Sequence, residues 1–387
     1  MLNLTTSKPE NELERKKGLL RRCYFEFSAL CESEQIMVIP LFHAEDRVAV
    51  AAAAKRRLVY LDSNIWIGLI EDEKFPDAAG QCRQAVHSGK VLFPVSNPAV
   101  TEVLDQPNPA QRAQVAAFMD ELSQGICYLP SDTIYALEAD LALGILLGQG
   151  VTAVEREQTL SWVGEYLGIG NLDFSSEWNH AEAEKFTRQV AQGSELRSVK
   201  WLVDHLPADK MRAGHAGFKK RYVEQMSAQI ARDTARVQLF DKNKRRQQIL
   251  LDLRTCWAIS KVVSPRITSN LLKIVGPEKL KDTVAAIIQK AGEGSEDRLM
   301  QMMVKMPSLD LSCQIFAEWL LNPTVPIEEQ DFHDFEHAVV GAVYSDFFVT
   351  SDGYLFDLLK NRCSIPNEAG CCVIRGIEGL VDLLESI

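Results

Sequence analysis

Several hallmarks of common protein classes are missing from this 387-residue sequence. No apolar run approaches the roughly 20 residues that a membrane-spanning helix needs, and the opening MLNLTTSKPENELERKKGLL lacks the apolar block of a secretory signal. The nine cysteines include no Cys-x-x-Cys pair, which disfavours a disulfide framework and a zinc ribbon. We therefore expect a cytoplasmic protein with reduced thiols and no membrane partner.

Two catalytic signatures are also absent. The sequence has neither the Gly-x-x-x-x-Gly-Lys loop that cradles nucleotide phosphates nor the Gly-x-Ser-x-Gly elbow of serine hydrolases. The composition is that of an ordinary globular protein, with 46% hydrophobic and 25% charged residues. The chain is long enough for one elaborated domain or for two or three smaller ones.

Positive charge is outnumbered by negative charge overall, with 42 lysines and arginines against 53 acidic residues, but it is locally concentrated. The net charge is −11, yet the stretch from Lys210 to Lys261 holds thirteen lysines and arginines against four acidic residues. This stretch therefore carries +9 and the remainder −20. Such asymmetry predicts one basic surface on an acidic body.

The order of apolar segments predicts an α/β fold. Short apolar strands alternate with helices over residues 56–135 and again over 325–387; the predicted strands are LVYLD, KVLFPVS, ICYLP, DFFVTSD and CCVI. This alternation indicates right-handed crossovers and a parallel sheet flanked by helices. Residues 136–324 show helical periodicity without a convincing strand, which predicts a large all-helical insert. Residues 1–55 are predicted to form a mostly helical N-terminal extension.

Four acidic residues occupy the positions where parallel α/β sheets carry their functional groups. Asp62 ends the first strand and Asp352 ends the strand DFFVTSD, while Glu102 and Asp334 lie in helices next to strands. The carboxyl edge of such a sheet forms a crevice, so these acids could converge there. Neighbouring carboxylates repel each other, and Mg²⁺ or Mn²⁺ resolves that conflict with hard oxygen ligands. The implied chemistry is metal-dependent hydrolysis of a phosphodiester.

The order and context of these acids resemble the PIN-domain nucleases. The matching pieces are VYLDSN, PAVTEVL, DFEHAVVGA and FFVTSDGYL, so the resemblance covers roughly residues 57–135 and 325–387. It implies metal ligation by Asp62, Glu102, Asp334 and Asp352. It also implies that Asn64 and Ser351 contact phosphate or the metal ligands. We expect His337 to lie beside the acidic pocket or to contact substrate, with structural packing as the alternative. The insert and the N-terminal extension depart from the compact family pattern.

Each of these acids also has an ordinary structural interpretation. Asp62 and Asp352 could simply cap a helix or a turn, and Glu102 and Asp334 taken singly could be solvated helix acids. The histidines of HDFEH, His333 and His337, are spaced to share a helix face and could bind zinc. A metalloprotease motif, however, needs glutamate directly after the first histidine.

The basic stretch supplies a candidate surface for nucleic acid. Its candidate contact residues are Lys219, Lys220, Arg221, Lys242, Lys244, Arg245 and Arg246. Contacts of this kind hold a phosphate backbone without sequence preference. A solvated helix face, or a surface for a regulatory protein partner, explains the same charges.

The hypothesis from the sequence is thus a metal-dependent endoribonuclease, with RNA favoured over DNA because the resemblance points to RNA. Two alternatives stay open. The protein could be a catalytically silent scaffold that binds nucleic acid or a protein, or a nuclease directed at DNA in defence or repair. Activated water does not require a 2′-hydroxyl, so the site chemistry leaves DNA open.

Overall fold

A computed structural model describes residues 44–71, 74–146, 153–163, 198–205, 208–238, 240–241, 244–262, 296–322 and 327–387. Most of the N-terminal extension and several parts of the predicted insert lie outside these ranges. The predicted helix AEAEKFTRQVAQ and the candidate contact residue Lys242 also lie outside the described residues.

The centre of the fold is a parallel sheet, as the sequence predicts, but it contains four of the five predicted strands; the segment ICYLP forms its strand outside this sheet. The strands are β1 (Arg57–Leu61), β2 (Val91–Leu92), β5 (Phe347–Thr350) and β6 (Cys372–Arg375), in the order β2-β1-β5-β6. A separate antiparallel pair consists of β3 (Ile126–Tyr128) and β4 (Leu160–Trp162). Strand β1 and its neighbour β5 come from opposite ends of the sequence, so the fold joins residues 56–135 to residues 325–387 in a single sheet.

Helices cover both faces of the sheet. In chain order they are α1 (Ala44–Ala54), α2 (Ser63–Glu71), α3 (Ala78–His87), α4 (Asn97–Asp105), α5 (Pro109–Ser123), α6 (Ser131–Leu146), α7 (Val199–His205), α8 (Ala208–Val237), α9 (Arg245–Val262), α10 (Glu296–Met303), α11 (Pro307–Leu321), α12 (Glu329–Tyr344), α13 (Gly353–Asp357), α14 (Ile365–Glu368) and α15 (Gly376–Ser386). None of the helices in the described ranges has the length and apolar character needed to cross a bilayer.

The alternation of side chains along β1 divides the core into two parts. Leu58 and Tyr60 point to one face and pack with helices α6, α9, α11 and α12. Val59 and Leu61 point to the other face and pack with helices α2 to α5, α7 and α15. Because all four of these β1 side chains are buried, the strand reads as a continuous apolar run, which is typical of a parallel sheet covered on both sides.

The predicted insert shares the core of the sheet rather than burying a separate one among the described residues. Apolar residues of α9 and α11 belong to the same buried cluster as Tyr60 of β1. Arg254 of α9 also forms a two-pronged ion pair with Asp310 of α11, at 2.6 Å (Nε–Oδ1) and 3.0 Å (Nη2–Oδ2). Helices from residues 136–324 therefore pack directly against the α/β part.

The expectation of an all-helical insert is wrong at one place. The segment EREQTLSWVGEYLG begins with a short 3₁₀ turn over Arg156–Thr159 and continues as strand β4. Strand β4 pairs with β3 and satisfies backbone groups that β3 would otherwise leave open, a long-range demand that local periodicity does not reveal. Three residues are also too few to show a period of two.

A buried carboxylate joins the helical layer together. Glu138 on α6 is fully buried and accepts hydrogen bonds from the backbone N–H groups of Ser308 (3.0 Å) and Leu309 (3.3 Å) at the start of α11. The hydroxyl of Tyr344 on α12 donates a third, at 2.6 Å. Burial outweighs these hydrogen bonds and raises the pKa of Glu138 to about 7.

This raised pKa predicts a pH-dependent stability. Glu138 keeps its proton in the folded state up to about pH 7. Its contribution to the free energy of unfolding is therefore fully present below the unfolded pKa of 4.5 and is lost as pH rises through 7. At about 1.4 kcal/mol per pKa unit, the loss is roughly 3 kcal/mol. The Glu138→Gln protein should therefore gain stability relative to the unmodified protein between pH 5 and pH 8, measured as the difference in urea midpoints. The exposed Glu378→Gln is the control, and an equal pH dependence in all three proteins would contradict the prediction.

Candidate carboxylate site

The two strand-terminal acids lie side by side because their strands are neighbours. Leu61 of β1 pairs with Val349 of β5, and the backbone N–H of Asp62 donates to the carbonyl oxygen of Val349 at 3.1 Å. Asp352 follows β5 after one intervening residue. Both acids therefore reach the same carboxyl edge of the sheet, where adjacent parallel strands lie about 4.8 Å apart.

Both acids also cap helices, so the structural interpretation holds for each. Asp62 Oδ1 accepts from the backbone N–H of Ile65 at 3.0 Å, and Asp352 Oδ1 accepts from that of Leu355 at 2.6 Å. Thr350 sits between them: its hydroxyl oxygen accepts from the N–H of Asp352 at 3.0 Å, and its side chain is hydrogen-bonded to Asp62. Capping explains one oxygen of each carboxylate, but it does not require a carboxylate to be buried.

The burial of Asp62 is unusual for a helix cap. Its side chain is only 3% exposed, and this burial raises the pKa of its carboxyl despite the opposing effects of Thr350, His337 and the Ile65 N–H. The negative charge of Glu102 raises the pKa further. The cost of this buried acid points to a purpose beyond capping.

Glu102 is held by a chain of buried polar groups. It projects from α4 toward α12, where His337 Nε2 lies 3.0 Å from Glu102 Oε2. His337 Nδ1 lies 2.6 Å from the hydroxyl of Tyr60, which is in turn 2.6 Å from the hydroxyl of Ser96. His337 Nε2 donates to Glu102, whereas Nδ1 accepts from the Tyr60 hydroxyl when the imidazole is neutral and donates to that hydroxyl when the imidazole is protonated.

The charges of this pair shift both pKa values. Burial alone would raise the pKa of Glu102, but the hydrogen bond and charge of His337, the charge of His333 and the Ser63 side chain lower it to about 2. Burial alone would lower the pKa of His337, but Glu102, Asp62 and Asp334 raise it. The pair is therefore stabilised in its ionised form.

Asp334 shows that the four acids crowd together. Burial raises its pKa to about 7; His337 opposes the increase, while the charges of Asp352, Asp62 and Glu102 add to it. A carboxyl group feels three other carboxylates in this way only when they are close. The charges of the three other acids that the sequence singled out therefore all act on Asp334, although the four acids come from four separate segments.

The donor set fits a hard divalent cation. In the part of the chain that the structure describes, no lysine or arginine is ion-paired with any of the four acids, and His337 is the cation that Glu102 contacts. Carboxylate oxygens are the donors that Mg²⁺ and Mn²⁺ prefer. A bound cation would also relieve the repulsion between carboxylates that raises the pKa of Asp334. Within the described residues, however, no three acidic, histidine or cysteine side chains are already arranged as a metal-binding group. His333 and His337 therefore belong to no such group among the described residues.

The polar residues predicted beside the acids have different environments. Asn64 and Ser351 are exposed and follow Asp62 and Thr350 at the same edge, where they can meet a ligand. His337 is 2% exposed, and each of its ring nitrogens has a partner within the protein. In this structure His337 therefore orients Glu102 and does not reach the surface.

Several residues that support or line the carboxylate site were not predicted from the sequence. Tyr60 is hydrogen-bonded to His337, and Thr350 is hydrogen-bonded to Asp62. These contacts join residues far apart in the chain, so no local motif predicts them. Tyr354 lies two residues after Asp352 and lines the same small cleft as Asp334. It is 40% exposed and is the one aromatic among the exposed large hydrophobic side chains of the described ranges.

The candidate nucleic-acid contacts divide into two groups. Lys220 and Arg221 are exposed on α8, which also includes Lys219, and Lys244 is exposed just before α9. Arg245 is half-buried, and the guanidinium of Arg246 is already engaged.

The partners of Arg246 are within the protein. Its Nε donates to Glu318 Oε1 at 2.9 Å and its Nη2 donates to the carbonyl oxygen of Arg362 at 2.6 Å. Arg246 is exposed, but these bonds hold α9 against the rest of the fold, which leaves Lys220, Arg221 and Lys244 as the exposed candidates that form no ion pair among the described residues.

A cavity of about 540 Å³, larger than the cleft beside Asp334, lies away from the acids, at the amino end of β1.

Comparison with known proteins identifies no family. No protein-family model matches the chain, and neither a curated protein nor a solved structure matches it.

Proposed function

We propose that the protein is a metal-dependent nuclease that hydrolyses phosphodiester bonds, with RNA as the favoured substrate. The observation that carries the proposal is the convergence of Asp62, Glu102, Asp334 and Asp352 at the carboxyl edge of a parallel sheet, with no lysine or arginine of the described residues paired to them. The resemblance of their sequence context to PIN-domain nucleases supports the same assignment.

The four acids would hold Mg²⁺ or Mn²⁺, which when bound activates water and stabilises negative charge on phosphate oxygens. The protein contributes positioning. The Thr350 side chain and the Ile65 N–H orient Asp62, while Tyr60 and His337 orient Glu102. Rigidly held carboxylates reduce the reorganisation needed when a charged ligand arrives.

Single-stranded nucleic acid is the substrate form that the edge of the site suits best. The exposed ring of Tyr354 lies beside Asp334, and an aromatic ring in that place can stack on an unpaired base. Asn64 and Ser351 are exposed next to Asp62 and Asp352, within the reach of a phosphate group. The exposed cations of α8 would add backbone contacts without sequence preference.

A cleavage assay tests the proposal. Labelled single-stranded RNA, single-stranded DNA and duplexes are incubated with the purified protein and Mg²⁺, Mn²⁺ or EDTA. We expect products from single-stranded RNA with either metal and none with EDTA. Strand binding without metal-dependent products would favour the scaffold alternative, and preferential cutting of DNA would favour a DNA-directed nuclease.

A further inference from the structure

A second site lies at the edge of the sheet opposite the carboxylates. The cavity of about 540 Å³ is lined by Lys55 and Arg56 from the α1–β1 connection, by Arg57 at the start of β1, and by Gly89 and Lys90 from the α3–β2 connection, with Ala52 and Ile387 completing it. We call Lys55, Arg56, Arg57 and Lys90 the basic pocket. The two connections lie together because the N–H of Arg57 donates to the carbonyl oxygen of Lys90 at 3.0 Å.

The positive charge of the basic pocket has no acidic side chain to balance it among the described residues. Arg56 Nη1 donates to the amide oxygen of Gln124 at 2.8 Å, and Lys90 Nζ donates to the backbone oxygen of Ile387 at 2.8 Å. Lys55 and Arg57 are exposed and are not ion-paired within the described ranges. Four cations in one concave surface of a protein with net charge −11 form a strong local field.

Helix ends account for only part of this arrangement. Helices α1 and α3 both end here, and the carbonyl groups at a helix C-terminus favour a nearby cation. That effect falls off within one turn and is satisfied by a single charge at each helix end. It does not explain why four cations surround an open cavity.

We propose that the basic pocket binds the phosphate backbone of a nucleic-acid strand, independently of its sequence. Arginine guanidinium groups match phosphate oxygens in a two-pronged geometry, and lysines add point charge. The lining contains no aromatic ring that could stack on a base. Recognition therefore depends on charge, and binding weakens steeply with salt.

The basic pocket is a separate contact from the carboxylate site. Arg57 and Asp62 stand at opposite ends of β1, five residues and therefore about 16 Å apart. The inference shares its nucleic-acid partner with the proposed function but not the hydrolysis. It is therefore tested in EDTA, where metal-dependent cutting is suppressed.

The test compares two triple variants that lose the same charge. Lys55→Gln/Arg57→Gln/Lys90→Gln removes three cations from the basic pocket, and Arg83→Gln/Lys200→Gln/Lys305→Gln removes three cations that belong neither to the basic pocket nor to α8. Affinity for two labelled single strands of about 20 nucleotides, unlike in sequence, is measured by fluorescence anisotropy between roughly 50 and 200 mM salt. Circular dichroism melts verify that each variant is folded.

For the basic-pocket variant we expect affinity at least about 10-fold weaker for both strands and a log–log salt slope smaller by about 2, since each contact to a single strand contributes about 0.7. The control variant should retain the slope of the unmodified protein. An unchanged slope in the basic-pocket variant, or an equal loss in the control, would overturn the proposal. So would an unmodified protein that binds neither strand, whereas the proposed function would then still be decided by its own cleavage assay.

Discussion

The Asp62→Asn protein should fold normally and lose roughly 100-fold or more of its metal-dependent cleavage activity. Changing a residue that merely orients a metal ligand typically costs 10- to 100-fold, and the loss of a ligand should cost at least as much. Asparagine keeps the shape of aspartate and can still accept the hydrogen bond of the Ile65 N–H, so α2 retains its cap. Removing a buried carboxylate whose pKa is raised by burial should leave stability equal or improved.

This substitution separates the two interpretations of Asp62. If the residue is only a cap, Asp62→Asn is silent, whereas Asp62→Ala loses about 0.5–2 kcal/mol of stability. Asn108, which caps α5 by accepting from the Ala110 N–H at 3.0 Å, provides the control: Asn108→Ala should reduce stability without reducing the cleavage rate per folded molecule. Cleavage is followed on labelled RNA with Mn²⁺, and thermal melts report folding. Full activity in pure Asp62→Asn protein would remove Asp62 from the catalytic site.

Replacing Gly341 with alanine should damage both the fold and the carboxylate site. Helix α12 packs so closely on β1 that an alanine Cβ at position 341 would lie 2.4–2.7 Å from three ring atoms of Tyr60. Tyr60 is fully buried, stacks on Phe348 at 5.2 Å between ring centroids, and is hydrogen-bonded to His337, so its ring has little room to move. Overpacking of this kind typically costs about 1–3 kcal/mol. Displacing Tyr60 should also release His337 from Glu102 and lower activity.

Matched variants isolate the steric cause. Gly80 is an exposed glycine within α3 where an added Cβ meets nothing within 4 Å, so Gly80→Ala should raise stability by up to about 1 kcal/mol. In a Tyr60→Leu background, which removes the ring, the cost of Gly341→Ala should shrink or disappear in a double-mutant cycle of urea midpoints. The same cost in both backgrounds would show that the ring of Tyr60 is not the obstacle.

Much of the fold could be predicted from local pattern. Each of the four strands of the main sheet overlaps a predicted strand, because buried parallel strands are short apolar runs bounded by polar residues, although β1 begins one residue earlier, at Arg57, and β6 ends one residue later, at Arg375. The start of α4 shows the limit of this precision. The pair Asn97–Pro98 suggests a cap at Asn97, but the side chain of Ser96, one residue earlier, accepts from the Ala99 N–H and caps the helix.

The candidate site could be predicted only in part. Asp62 and Asp352 could be predicted because a polar residue at the end of an apolar strand can be recognised in the sequence alone. Glu102 and Asp334 could be singled out only because they occur with Asp62 and Asp352 in the order that resembles the PIN-domain nucleases. Tyr60 could not be identified as the support of His337, because its neighbours on the sheet read as an ordinary apolar strand and His337 lies 277 positions away.

The sequence by itself determined which segments become strands and helices, since side-chain periodicity, capping residues and prolines act over a few positions. It also determined that acids follow two strands of the sheet and that basic charge concentrates in one stretch. Only the tertiary structure decided that β1 lies next to β5, which places Asp62 beside Thr350 and near Asp352. It also decided that α12 approaches closely enough, at Gly341, for His337 to join Tyr60 to Glu102, and that Arg246 is paired with Glu318. These outcomes depend on pairings between residues far apart in the chain, and the free energy of such pairings comes from burial and packing that no short stretch of sequence encodes.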